Sequence, residues 1–309
     1  MTKSAPKPSK HSAHFALSWK KKQPEQPGIP GGAVQVEPFF FKSVKGHLFG
    51  NYFPPNPEVA DLGDLVFCPP FAEELNRSRH MIARQTRALN QLGYGVLLLD
   101  LYGTGDSEGT YGETDWQTWL GDLQAAVDWI KSRNHHFSGF WAMRTGALLA
   151  ADFTANSDTL CPLILFWQPV TNGRNFVGQF LRIRLAGEFT GGSEPQVTSK
   201  DLTTALERGE TLEIAGYDLT PDIASSLGGL SLANISLPPE TTVCWTETSL
   251  KEEAEISPGS RKVTEKWAAE GVEVNSAAVR DIQFWALQEP EWADSFIERT
   301  AGLIREVQQ

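Results

Sequence analysis

From Val34 onward the chain alternates short apolar runs with longer amphipathic stretches. VQVEPFFF and HLFGNYFP, separated by Lys45 and Gly46, predict an opening hairpin. DLVFCPP reads as a buried strand ending at Pro70. EELNRSRHMIARQTRALNQLG follows it, with Leu75, Met81, Ile82, Ala88, Leu89 and Leu92 at helical spacing and Gly93 as its stop. GVLLLDLYG (95–103) is an uninterrupted apolar run of the kind found in parallel strands covered on both faces. Residues 114–133 predict the next helix, with Thr114 as N-cap and Trp116, Trp119, Leu120, Leu123, Val127 and Ile130 as its inner stripe.

HFSGFW, RTGALLAADFTA and PLILFWQPV continue the rhythm as strand, helix and strand, which argues for a parallel sheet with right-handed crossovers. Residues 171–238 break it and are expected to form a cap inserted over the sheet edge. TTVCWTE, SRKVTEKWAAEG, VEVNSAAV and a final helix from Glu291 to about Arg305 resume it. The expected division is a basic tail at 1–32 and one α/β domain at 33–309. The tail, with six lysines and no acid in its first 22 residues, has the Pro, Lys and Ser content of a disordered segment.

Composition narrows the function classes. Hydrophobic residues make up 40% of the 309, charged ones 21%, and the net charge is −11. With the lysines gathered in the tail, the body is too acidic to be a nucleic-acid binder. No run of about 18 apolar residues predicts a membrane span, and no secretory signal pattern is present, so a cytoplasmic protein is expected. Cys68, Cys161 and Cys244 are far apart and read as reduced core residues. No His or Cys cluster has metal-ligand spacing, so neither metal nor cofactor is expected.

In open α/β sheets ligands sit beyond the carboxyl ends of the strands. Three loops there are unusual: PPFAEELNRSR (69–79), DLYGTGDSEG (100–109) and WAMRTGA (141–147). Together they resemble the α/β-hydrolase fold, in which one loop gives an oxyanion-hole N–H, a D-x-x-G-x-G-x-S loop follows another strand, and a nucleophile elbow follows the third. PPFAEELNRSR with LLLDLYGTGDSEG, LFWQPV and EIAGYDL is more narrowly similar to the family named hydrolase 2, exosortase A system-associated. That resemblance runs from about Val36 to the C-terminus. It implies a cytoplasmic accessory protein of bacterial exopolysaccharide and exosortase systems, with ester or thioester hydrolysis, an acyl or glycan-related ligand, and exosortase-system partners.

The chain departs from the fold's catalytic pattern twice. The elbow needs small residues two before and two after the nucleophile. Ala142 and Gly146 meet that need and put Arg144 in the nucleophile's place. A register from Gly139 would put Trp141 there, with Met143 where a small residue is required. The catalytic His should follow the last strand, yet VRDIQFW (279–285) has none, and no histidine follows His136. Glu247 or Glu252 could fill the acid position with nothing to orient.

Arg144, Glu73 and Glu74 are therefore the catalytic candidates, and Phe71, Asn76, Arg79, Tyr102 and Met143 the ligand-binding ones. Arg144 at a helix N-terminus favours an anion, either Glu73 or Glu74 or a ligand; two adjacent acids on a helix cannot face the same way. Two functions remain open: a hydrolase using a glutamate base, a water and Arg144 as oxyanion stabiliser, or an inactive fold member that binds an anionic or acylated ligand or a partner protein. Asp100 and Asp106 read as turn builders, Trp116 and Trp119 as core, and His135 and His136 lie at the wrong end of a strand for the site.

Overall fold

A computed structural model describes residues 35–188 and 197–308. The basic segment 1–32 falls outside them, as does most of the Gly-rich stretch 186–196. The opening hairpin is β1 (Glu37–Lys42) and β2 (His47–Phe53), antiparallel and closed by a Ser43 N–H to Gly46 carbonyl bond of 2.8 Å. Next come β3 (Asp64–Cys68), α1 (Glu73–Gln91), β4 (Gly95–Leu99), α2 (Trp116–Ser132), β5 (Phe137–Met143), α3 (Gly146–Asn156) and β6 (Leu163–Trp167).

Between β6 and the next sheet strand lie α4 (Gly173–Glu188), α5 (Ser199–Glu207), the hairpin β7 (Leu212–Ile214) and β8 (Tyr217–Leu219), and α6 (Pro221–Gly229). The sheet resumes with β9 (Thr242–Ser249), then α7 (Pro258–Ala269), β10 (Glu273–Arg280) and α8 (Asp294–Val307). The eight-stranded sheet has the order β1-β2-β4-β3-β5-β6-β9-β10, with β2 antiparallel to both neighbours and every pairing from β4 to β10 parallel.

Alternation along the strands divides the core. Val66, Cys68, Phe140, Ala142, Phe166 and Trp245 point to the face covered by α2, α3 and α7. Leu65, Phe67, Trp141, Met143, Leu165 and Trp167 point to the face covered by α1 and α8. Apolar side chains on both faces explain why these strands read as unbroken apolar runs.

The starts of α2 and α8 differ from the sequence reading for local physical reasons. Asp115, not Thr114, caps α2: its carboxylate accepts the Thr118 amide at 2.7 Å and hydroxyl at 2.8 Å, and Lys45 reaches it at 3.0 Å. A carboxylate complements the positive helix end better than a hydroxyl does. Thr114 instead ends a 3₁₀ turn at Tyr111–Glu113. The last helix begins at Asp294 because Glu291 is used to anchor the approach, its carbonyl meeting His80 Nε2 at 2.8 Å.

The crossover from β5 to α3 controls the site. Arg144 has φ 53°, a left-handed conformation rare for a side-chain-bearing residue, and its amide donates to the Trp167 carbonyl at 3.0 Å. This selects the elbow register centred on Arg144, with Met143 as the last residue of β5. Gly146 brings α3 so close to β3 that a Cβ there would collide with the Cys68 carbonyl oxygen. Gly146→Ala is accordingly expected to cost about 2 kcal/mol of unfolding free energy, the range for forced overpacking, measured by urea denaturation against wild type.

Candidate functional site

The loops after β3, β4 and β5 converge, together with the hairpin β7–β8, on a cavity of about 450 Å³. Its apolar wall is Phe71, Leu101, Tyr111, Trp116, Trp119, Leu149 and Leu227; its polar side carries Asn76, Arg79, Thr104, Thr145, Tyr217 and Asp218. Of the ligand-binding candidates, Phe71, Asn76 and Arg79 line this space. Tyr102 lies off the cavity, its ring packed over Gly109 and approached by Lys45 Nζ at 5.8 Å from the ring centre. Met143 lies on the opposite face of the sheet, fully buried beneath α1 and α8, because strand alternation turns it away.

Arg144 and Glu74 meet beside the cavity, outside its lining. Arg144 Nε lies 3.1 and 3.2 Å from the two carboxylate oxygens of Glu74, and Nη2 lies 3.0 Å from Oε1. Nη1 donates to the Gln168 carbonyl at 3.3 Å, and the guanidinium stands over the Trp285 ring, 5.2 Å from its centre. The internal anion is therefore Glu74. Glu73 points elsewhere: it accepts the Tyr217 hydroxyl at 2.9 Å and the Asn76 amide at 3.2 Å.

The magnitudes decide what Arg144 can do. Both partners are mostly buried, with side-chain exposures of 15% and 22%. Unit charges 3 Å apart attract by about 5 kcal/mol at an effective dielectric of about 20. A ligand carboxylate reaching Arg144 would have to displace Glu74 and leave that acid unpaired.

The neighbouring strand ends are occupied too. Trp285, from the loop after β10, covers Arg144. Glu247 is buried and spent on the Trp245 indole N–H (2.9 Å), the Ser257 amide (2.8 Å) and the Ser260 hydroxyl. The residue beside Arg144 after β6 is neutral: Gln168, at φ 42°, accepts the Thr248 amide at 2.7 Å. Ser78 donates to the Glu74 carbonyl at 2.6 Å and is no partner for His80.

Pro69 and Pro70 carry no N–H, and Ala72 N–H donates to the Tyr111 hydroxyl at 3.1 Å. The amides of Phe71 and Thr145 donate to no described residue. The Asp100 loop works as turn scaffolding: Asp100 Oδ2 accepts the Asp106 amide at 3.0 Å, Gly103 and Gly105 have positive φ, and burial raises the Asp100 carboxyl above its usual range. Burial, then Glu73, pushes the Tyr217 hydroxyl up to about 12. It therefore stays protonated and keeps donating at neutral pH. Asp64, Tyr52 and His135 interact at the opposite strand ends, with Asp64 accepting Tyr52 at 2.9 Å and lying 2.8 Å from His135 Nδ1.

Residues the sequence reading missed include Trp285, Gln168, Thr145, Tyr111 and Tyr217. Tyr217 lay within the EIAGYDL motif, and the structure sets that motif against PPFAEELNRSR: Asn76 Nδ2 donates to the Tyr217 hydroxyl at 2.8 Å. Trp116 and Trp119, read as core, are both core and cavity wall.

Among solved structures, Est1E from Butyrivibrio proteoclasticus with ferulic acid bound is 14% identical, with 88% of this chain and 100% of that one aligned at a TM-score of 0.63. A thermostable carboxyl esterase from Bacillus coagulans in complex with glycerol is 13% identical over 89% and 99%, with a TM-score of 0.57. XC6422 from Xanthomonas campestris, an α/β serine hydrolase without lid, is 12% identical over 90% and 96%, at 0.52. No protein-family model matches the chain, and no curated protein matches it. The chain has the α/β-hydrolase fold, and its structural neighbours include esterases.

Removing one partner of the central pair should cost more than replacing both. Arg144→Ala is expected to lose about 3 kcal/mol by leaving Glu74 unpaired, and Arg144→Met with Glu74→Met together to lose less than either methionine change alone. A double-mutant cycle by urea denaturation measures the difference.

Proposed function

We propose that this chain is a binding member of the α/β-hydrolase fold, without Ser-His-Asp turnover. It holds a small acylated or anionic ligand in the cavity beside the elbow. The observation that carries this reading is the engagement of Arg144: the side chain at the nucleophile's position is bound to Glu74 and the Gln168 carbonyl and covered by Trp285. Neither a hydroxyl nucleophile nor an imidazole base is supplied at the places this fold uses, and those two groups act as a unit.

The setting is the one implied by the resemblance of PPFAEELNRSR, LLLDLYGTGDSEG and EIAGYDL: an exosortase A and exopolysaccharide system, with a cytoplasmic location and partners among its proteins. That all three motifs meet at the cavity supports a ligand-binding role for them. Among the described residues, no helix is long and apolar enough to cross a membrane.

A hydrolase reading draws support from the retained elbow and from the free amides of Phe71 and Thr145. It would need Glu73 or Glu74 as base toward a water. Glu74 is held by Arg144, and Glu73 is held by Tyr217 and Asn76.

A panel of p-nitrophenyl esters and acyl thioesters, with a fluorophosphonate probe, tests the choice. The expected result is no acyl-enzyme burst, no labelled serine, and background hydrolysis unchanged in Glu73→Gln, Glu74→Gln and Arg144→Ala. Stoichiometric serine labelling, or turnover lost in a folded Glu74→Gln variant, overturns the binding reading.

A further inference from the structure

With Arg144 withdrawn from the cavity, the wall retains one cation, Arg79, and one anion, Asp218, among the described residues. Arg79 projects from α1 one turn beyond Asn76, and its Nε donates to Asn76 Oδ1 at 3.3 Å. Its two terminal nitrogens make no hydrogen bond or ion pair with described residues, while the guanidinium acts through space on the Asp100 carboxyl and the Tyr217 hydroxyl; the exposed side chain thus presents a planar two-donor edge at the cavity's rim. Asn76 is in turn fixed by Glu73 and by Tyr217, so Arg79 is steered by a network that begins in the insertion. Across the cavity stands an aromatic and aliphatic wall that includes Trp116, Trp119 and Leu149.

We infer that Arg79 is the anchor for the ligand's acid group. The occupant is a singly charged amphiphilic carboxylate whose acyl or aromatic body lies against the tryptophan wall. This rests on the binding role proposed above and names its ligand class. A guanidinium edge matches a carboxylate bidentately, and charge-assisted bonds of this kind are about twice as strong as neutral ones. The cavity lies within the range of about 300–1,000 Å³ typical of small-molecule sites, which are mostly apolar with a few placed polar groups. Asp218 on the wall and Asp100, which Arg79 already partly balances, disfavour a second negative charge on the ligand.

Titration of the full chain with octanoate, octanol and suberate, followed by tryptophan fluorescence and calorimetry, tests the assignment. Octanoate is expected to bind saturably and about tenfold tighter than octanol, with suberate weaker than octanoate. Arg79→Gln should bring octanoate down to the octanol level and leave octanol unchanged, while Arg79→Lys keeps part of the difference. Leu149→Trp, which fills the cavity, should abolish binding of both.

Equal binding of octanoate and octanol, with no effect of Arg79→Gln, overturns Arg79 as anchor and leaves the binding role standing. Loss of octanol binding in Arg79→Gln likewise overturns the anchor role, since it marks a structural effect. Absence of saturable binding by all three probes overturns the anchor and counts against the binding role itself. Binding that persists in Leu149→Trp places the ligand elsewhere and overturns the assignment.

Discussion

The site depends on one contact: the bidentate pairing of Arg144 with Glu74 across the start of two helices. Arg144 leaves β5 at a left-handed φ, so its side chain projects at the sheet's carboxyl edge. Glu74 stands in the first turn of α1, where a carboxylate also suits the helix dipole. The pair joins the loop after β3 to the loop after β5, the two segments that also supply one end of the cavity. Its Coulomb gain is partly offset by desolvation, so its significance is positional more than energetic.

Around that pair, the inner layers follow from ordinary packing. Gly146 admits α3 against β3, Trp285 closes over the guanidinium, and Gln168 offers its carbonyl to the remaining nitrogen. The cavity is consequently displaced from the elbow side chain toward α1, α2 and the hairpin of the insertion. Arginine after β5, glutamine after β6 and tryptophan in the loop after β10 make an internally satisfied cluster.

Much of the architecture was legible in the chain. Buried strands announce themselves as DLVFC, GVLLL and LILFW because both faces are covered, and the small residues at 142 and 146 identify the elbow without a serine. Thr114 misled because cap choice turned on one residue and on Lys45, distant in sequence. Tyr102 and Met143 were placed in the site by adjacency to a motif, whereas side-chain direction depends on strand alternation and turn geometry. Of the two neighbouring glutamates, sequence showed that one would face away but could not say which. Trp285 and Gln168 reach the site through contacts separated by many residues, and no local pattern marks those; Tyr217 stands in the EIAGYDL motif, with nothing local to say which loop it meets.

Gly146 and the left-handed turn at Arg144 answer to packing. The close seating of α3 on β3 requires that bend whatever side chain position 144 carries. A change of side chain at 144 therefore meets a backbone whose shape its neighbours impose, whereas a change at 285 or 74 removes a group that Arg144 itself rests on. Backbone shape and side-chain chemistry are thus governed by different parts of the same loop cluster.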